Sequence, residues 1–226
     1  MGVQSISVGR LSLEANIIRE RPLFWKAIGA VERVAALTLL IVALPGLLLA
    51  GCITMVLSRR SPLIAHRRVG HGGRDIWVLK LRTMWHTAQN PCCFSPLIEE
   101  VVEDFSPDMK SQADPRVTSR FAAFCRRYSI DECPQLWQVI TGEMTLVGPR
   151  PLTADEIETY YGPSANEFLS VKPGITGLWQ VRGRSRLKHA QRMRLDLFMI
   201  HRWSLRLYLK ILLATIPSVL GGKDAW

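Results

Sequence analysis

Cysteine and histidine are few in this chain of 226 residues, five of each. The five cysteines form no Cys-x-x-Cys pair, and Cys92 and Cys93 are adjacent, too close for the usual ligand spacing of one tetrahedral site. The five histidines, at 66, 71, 86, 189 and 201, show no His-x3-His interval. A structural zinc centre is therefore not expected, and the odd cysteine count points to reduced thiols in a cytosolic compartment. Internal repeats and low-complexity tracts are missing as well. At this length that leaves one domain plus an attachment device. No secretory signal opens the chain. Basic and acidic residues alternate up to Arg33, and the apolar run that follows comes too late and is too long.

Positive charge is in excess, with a formal net charge of +10. Such a balance fits anionic partners: nucleic acid, acidic lipid or phosphorylated substrates. A membrane-tethered nucleic-acid binder would show helix-turn-helix periodicity or stacked aromatics on basic strands. Neither is present. A non-catalytic membrane scaffold would keep an anchor but would not need the acid and arginine constellation at 131–150.

Between Val34 and Leu57 charge disappears altogether. These 24 residues would reach ~36 Å as a straight helix, against a hydrocarbon core of ~30 Å. Membrane insertion is expected. Pro45-Gly46 falls mid-run, where a proline costs roughly 3 kcal/mol in an isolated helix. Arg19, Arg21, Lys26 and Arg33 precede the run, and Arg59, Arg60, Arg67 and Arg68 follow it. Positive flanks favour the cytoplasmic side. A hairpin breaking at Pro45 keeps both flanks there; a kinked span exports one. The residues alone leave both open. Residues 1–30, with Leu11, Leu13, Ile17 and Ile18 at roughly helical spacing, suit a surface segment on the membrane or a frayed terminus.

After the run, Val69-Gly70-His71-Gly72-Gly73-Arg74 reads as a hairpin turn, with a strand continuing through Ile76–Leu79. Lys80 and Arg82 alternate with Leu81, which puts both cations on one strand face. A short helix is conceivable over 97–105, as a solvated connector. Helices are expected over 154–161, 187–201 and 203–220. The last carries Trp203 and Tyr208, residues typical of a membrane interface; a buried core helix is the alternative.

The chemistry gathers at 114–151. Ser129-Ile130-Asp131-Glu132 matches a capping box. Pro134 conflicts with it, because a helix capped at Ser129 would lose a bond at the proline. A helix starting near Asp131 would place Pro134 in its first turn and both acids at its positive end, where phosphate also binds. A carboxylate there could attack phosphorus or hold a divalent cation. Gly148-Pro149-Arg150-Pro151 reads as a stiff strap, able to present a guanidinium to a phosphate.

Four stretches then occur in a telling order: KLRTM at 80–84, the whole of 114–151, KPGITGLWQVRGRS at 172–185, and WSL at 203–205. In this order they resemble the bacterial polyprenyl-phosphate glycosyl-1-phosphate transferases, the monotopic sugar transferases that prime exopolysaccharide, capsule and O-antigen synthesis. The likeness covers roughly residues 31–226. The 66–74 stretch looks most like members that load a hexose such as galactose for exopolysaccharide.

The resemblance implies a mostly helical α+β, monotopic membrane protein. Its parts would be a surface segment (1–30), a re-entrant helix-break-helix (31–57) with its break at Pro45, and a cytosolic catalytic domain (58–226) ending in an interfacial helix. It implies Asp131 as the nucleophile toward the β-phosphate of a UDP-sugar, with loss of UMP. Glu132 would be its acidic partner, activating undecaprenyl phosphate or positioning Mg²⁺ together with Asp131. Arg150 with Pro149 and Pro151 would bind the nucleotide sugar, and Arg82, Arg116 and Glu143 would lie near the phosphates. The setting would be the cytoplasmic face of the bacterial inner membrane, among its lipids, with no nucleic acid involved and a homodimer left open. Some positions depart from the family pattern. Ile130 and Cys133 stand for leucines, Leu81 for a phenylalanine, Leu44 for a serine before the break, and Tyr208 for a frequent aspartate.

Overall fold

The computed structural model describes residues 23–84, 98–101 and 119–221. Arg116 and most of the surface segment expected over 1–30 lie outside them. The fold is mostly helical, with a mixed sheet and one long apolar N-terminal helix.

That helix, α1 (Leu23–Ser58), is continuous through Pro45. Leucine and alanine dominate it, and both favour helix. One narrow face meets the domain: Glu32, Ala36, Ala50 and Thr54 are buried. Ala36, with Leu40 beside it, packs on Ile76, Val78, Leu136 and Val139. Ala50 packs on Leu81 and Cys125. Most of the remaining surface is apolar and exposed, including Val34, Ile41, Val42, Leu48, Leu49 and Val56.

The chain reverses at Arg59 (φ 53°) and enters β1 (Leu63–Val69), which pairs antiparallel with β2 (Asp75–Leu81). Gly72 and Gly73 adopt left-handed conformations in the connecting turn, as the glycine spacing predicts. Residues 98–101 are not the start of a helix. They form β3 (Ile98–Val101), parallel to the other edge of β1. The acids suggested a solvated helix face, but an open strand edge and a buried cation, Arg82, capture this segment instead. Tertiary partners outweigh local propensity here.

The helix α2 (Arg120–Arg127) is capped by Ser119, whose hydroxyl accepts from the Ala122 amide at 3.0 Å. A 3₁₀ turn (Ile130–Gln135) leads into α3 (Leu136–Thr141), which packs beneath α1. Then come β4 (Thr145–Val147), α4 (Ala154–Tyr161), α5 (Ala165–Leu169) and β5 (Gly174–Thr176). Strands β4 and β5 form a separate parallel pair. The chain closes with α6 (Leu178–Arg182), α7 (His189–His201) and α8 (Leu205–Leu220). On α8 the buried-core alternative holds for one face, and it takes in Tyr208, with Trp203 packed against it, the residues that suggested a membrane interface. Tyr208 and Ile211 are core, whereas Leu205, Leu209, Leu213, Ile216 and Leu220 are exposed.

Candidate active site

Ser129 sits in the left-handed region (φ 55°) and its side chain caps nothing. The Ser129–Glu132 capping box therefore does not form; a capping box forms instead at Thr153 and Glu156. The left-handed residue swings the chain into the 3₁₀ turn, with both acids in its first turn. Pro134 lies inside that turn and α3 begins only at Leu136, so its missing N–H interrupts no α-helical ladder.

Glu132 meets the strap. Arg150 donates from a guanidinium nitrogen to Glu132 Oε1 at 3.0 Å, the two side chains being 33% and 19% exposed. The strap is fixed by backbone on both sides. Gly148 N–H donates to Thr176 O (2.8 Å), Gly174 N–H to Pro149 O (2.8 Å), and Val69 N–H to Leu152 O (2.9 Å). Gly148 and Gly174 lie against each other. A Cβ on Gly174 would stand 2.1 Å from the Gly148 nitrogen. The 172–177 motif thus serves the 148–151 motif: its glycine leaves room for the strap.

Lys80 approaches the acids from β2. Burial, then the charge of Arg150, pushes its ammonium down to about 8, against the pull of Glu132 and Asp131. Asp131 is pushed up to about 6 by burial and by the Glu132 charge; Lys80, Arg126 and Arg150 only partly offset this. Burial also works to raise Glu132. There, Arg150, Lys80 and the Arg150 hydrogen bond win, and the carboxyl is held below its ordinary range. A small cavity lined by Arg68, Lys80, Gln135, Arg150 and Pro151 opens beside the acids.

Asp131, Glu132, Pro149, Arg150 and Pro151 thus come together, as the sequence suggests. Arg82 serves elsewhere. β2 ends at Leu81, and the buried Arg82 guanidinium donates to Ser61 O and Glu99 (both 2.7 Å), tying the chain leaving α1 to the sheet. Glu143 is exposed, with the Thr141 hydroxyl as a partner. Lys80, Arg126 and Arg184 also act on the acids. The sequence shows Arg126 as one of several cations upstream of the acids and Lys80 by its alternation with Arg82; Arg184 becomes recognisable only in the fold. Among the described residues no group of three or more His, Cys, Asp or Glu converges.

A half-buried carboxylate pair, cations from several elements and a long apolar helix packed alongside form a site suited to phosphate esters, in a domain with the character of a membrane-associated protein. The family comparison agrees. The chain belongs to the family described as bacterial sugar transferase, whose pattern matches residues 24–222. It is 37% identical over 207 residues to the exopolysaccharide production protein ExoY of Rhizobium meliloti, covering 91% of each chain. It is 37% identical to a UDP-galactose-lipid carrier transferase of Erwinia amylovora, covering 86% of this chain and 40% of that relative. It is also 37% identical to a UDP-glucose:undecaprenyl-phosphate glucose-1-phosphate transferase of Caulobacter vibrioides, covering 85% of this chain and 69% of the relative.

Asp131 generates a stability prediction. Its folded pKa is raised, so its contribution is fully present below the ordinary carboxylate range and is lost as pH rises through about 6. Asp131→Asn removes that loss. In thermal unfolding it should be more stable than wild type at pH 8 by on the order of 2 kcal/mol, with the gain shrinking toward zero at pH 4. A variant less stable than wild type at pH 8 would mean that Asp131 bears no desolvation cost.

Proposed function

We propose that this protein transfers a hexose 1-phosphate from a UDP-sugar to undecaprenyl phosphate at the cytoplasmic face of the inner membrane, priming an exopolysaccharide. The observation that carries this reading is the division of labour between the two acids. Glu132 is engaged by Arg150, whereas Asp131 is left beside the cations with a raised pKa. The relatives named for UDP-galactose and UDP-glucose support the substrate class.

In the first half-reaction an Asp131 oxygen attacks the β-phosphorus. The bond from that phosphorus to the bridging oxygen breaks, and UMP leaves with the oxygen. In the second, a phosphate oxygen of the lipid attacks the same phosphorus. The aspartyl bond breaks, Asp131 regains its carboxylate, and the lipid diphosphate sugar departs. Lys80, Arg126 and Arg150 counter the charge that develops on the phosphoryl oxygens. Glu132, held ionised by Arg150, is better suited to orienting that guanidinium than to removing a proton. The donor chemistry also suits Mg²⁺, which commonly takes one or two carboxylates plus substrate phosphate. Asp131 and Glu132 would hold it, and it would supply further neutralisation of the diphosphate.

The proposed topology is re-entrant: α1, a continuous helix through Pro45 where a break was expected, would enter and leave the membrane on one face so that both flanks stay cytoplasmic. Its support is the packing on either side of the proline. Ala36 and Ala50 both rest on the same domain. In a straight span the far flank would sit about 30 Å away, across the hydrocarbon. The exposed stripe of α8 would lie in the interface. Single cysteines placed at positions 26 and 60 in a cysteine-free chain should both react with an impermeant maleimide in inverted vesicles and not in intact spheroplasts. Opposite sidedness would sink the re-entrant topology.

UMP release against a panel of nucleotide sugars, with undecaprenyl phosphate present, tests the activity itself. Release with a UDP-hexose is expected; none with any sugar tried would refute it. Arg150→Ala should lower kcat/KM for the UDP-sugar by at least about tenfold through loss of a charge-assisted grip. Unchanged turnover at subsaturating substrate would remove Arg150 from the site.

A further inference from the structure

Glu32 lies in α1 just before the uncharged run, yet it is only 5% exposed. Its Oε1 accepts two hydrogen bonds from distant parts of the chain. One comes from the Leu146 backbone N–H at 3.0 Å. The other comes from the Tyr208 hydroxyl at 2.8 Å. Leu146 is the middle residue of β4. Strand β5 serves one edge of that strand, where Thr145 N–H donates to Pro173 O and Thr145 and Val147 pair with Gly174 and Thr176. Alternate amides of a strand point to opposite edges, and among the described residues this sheet has two strands. The Leu146 amide therefore faces the edge away from β5, and Glu32 accepts its hydrogen bond there. Three residues beyond β4 comes Arg150.

We infer that Glu32 is a positioning residue for the transfer reaction: its carboxylate stands in for a third strand on β4, setting the strap that carries Arg150 and joining it to α1 and α8. A carboxylate suits the task because a charged acceptor strengthens both bonds. Tyr208 remains a donor, since burial and then the Glu32 charge raise its phenol. The consequence is that grip on the substrate diphosphate depends on how α1 is seated. This rests on the reading that Arg150 binds the UDP-sugar.

The test uses the full chain in nanodiscs, with Glu32→Leu, Glu32→Gln and Tyr208→Phe. Two quantities are read: the UDP-sugar KM and kcat, and amide hydrogen exchange in the peptide spanning 144–150. Glu32→Leu should raise KM about tenfold with kcat within about twofold, the pattern of lost uniform binding. It should also speed exchange at Leu146. Glu32→Gln keeps an acceptor oxygen and should restore KM to within about threefold of wild type, with Leu146 still protected. Tyr208→Phe should leave Leu146 protected and raise KM less than Glu32→Leu does. A Glu32→Leu protein with wild-type KM, or with unchanged exchange at Leu146, overturns the inference. So does a Glu32→Gln protein as impaired as Glu32→Leu. Should Glu32→Leu fail to fold, exchange in Glu32→Gln decides: protection supports the inference and its loss overturns it. If the wild-type chain turns over no UDP-sugar, that refutes the activity, and exchange at Leu146 in the variants still settles the role of Glu32.

Discussion

The ion pair between Arg150 and Glu132 sets the chemistry of its neighbour. Two adjacent carboxylates withdrawn from water cannot both stay ionised without cations close by. Arg150 reaches Glu132 at 3.0 Å and keeps it charged. Asp131 then feels burial and the Glu132 charge together and is raised. In the proposed mechanism the acid that Arg150 does not engage is the one that reacts. This asymmetry depends on the strap, and the strap depends on the closeness of Gly148 and Gly174.

The attachment to the membrane is built into the same framework. α1 contributes Ala36 to the core that contains α3 and Ala50 to the core under α2. Arg82 clamps the chain leaving α1 to β2 and β3. Glu32 reaches β4. The apolar helix is thus part of the domain, and both it and α8 expose apolar side chains. For the proposed reaction between a soluble nucleotide sugar and a lipid phosphate, such an arrangement would bring the reacting groups together at the interface without extracting the lipid.

Patterns carried by neighbours in sequence were legible. The glycine-rich turn, the strand after it, the helix over 154–161 and the two faces of the last helix follow from periodicity and turn chemistry. Asp131, Glu132 and Arg150 were legible because prolines and charges cluster there. The failures have a common cause. β3 owes its form to an open edge of β1 and to Arg82. The Ser129 capping box fails because the left-handed residue and Arg150 draw the segment elsewhere. Glu32 looked like one more charge in a basic flank; only its packing against β4 and Tyr208 reveals its use. Arg82, paired by alternation with Lys80, parts from it because β2 stops at Leu81.

The most direct measurement is mass spectrometry of the purified protein after incubation with UDP-sugar and Mg²⁺ but without lipid acceptor. A nucleophilic Asp131 predicts up to one equivalent of UMP and a sugar-phosphate adduct on the peptide containing Asp131, with neither in Asp131→Asn. Adding undecaprenyl phosphate should then discharge the adduct. A folded Asp131→Asn protein that still transfers sugar phosphate to the lipid, or an adduct on another residue, would contradict the role assigned to Asp131.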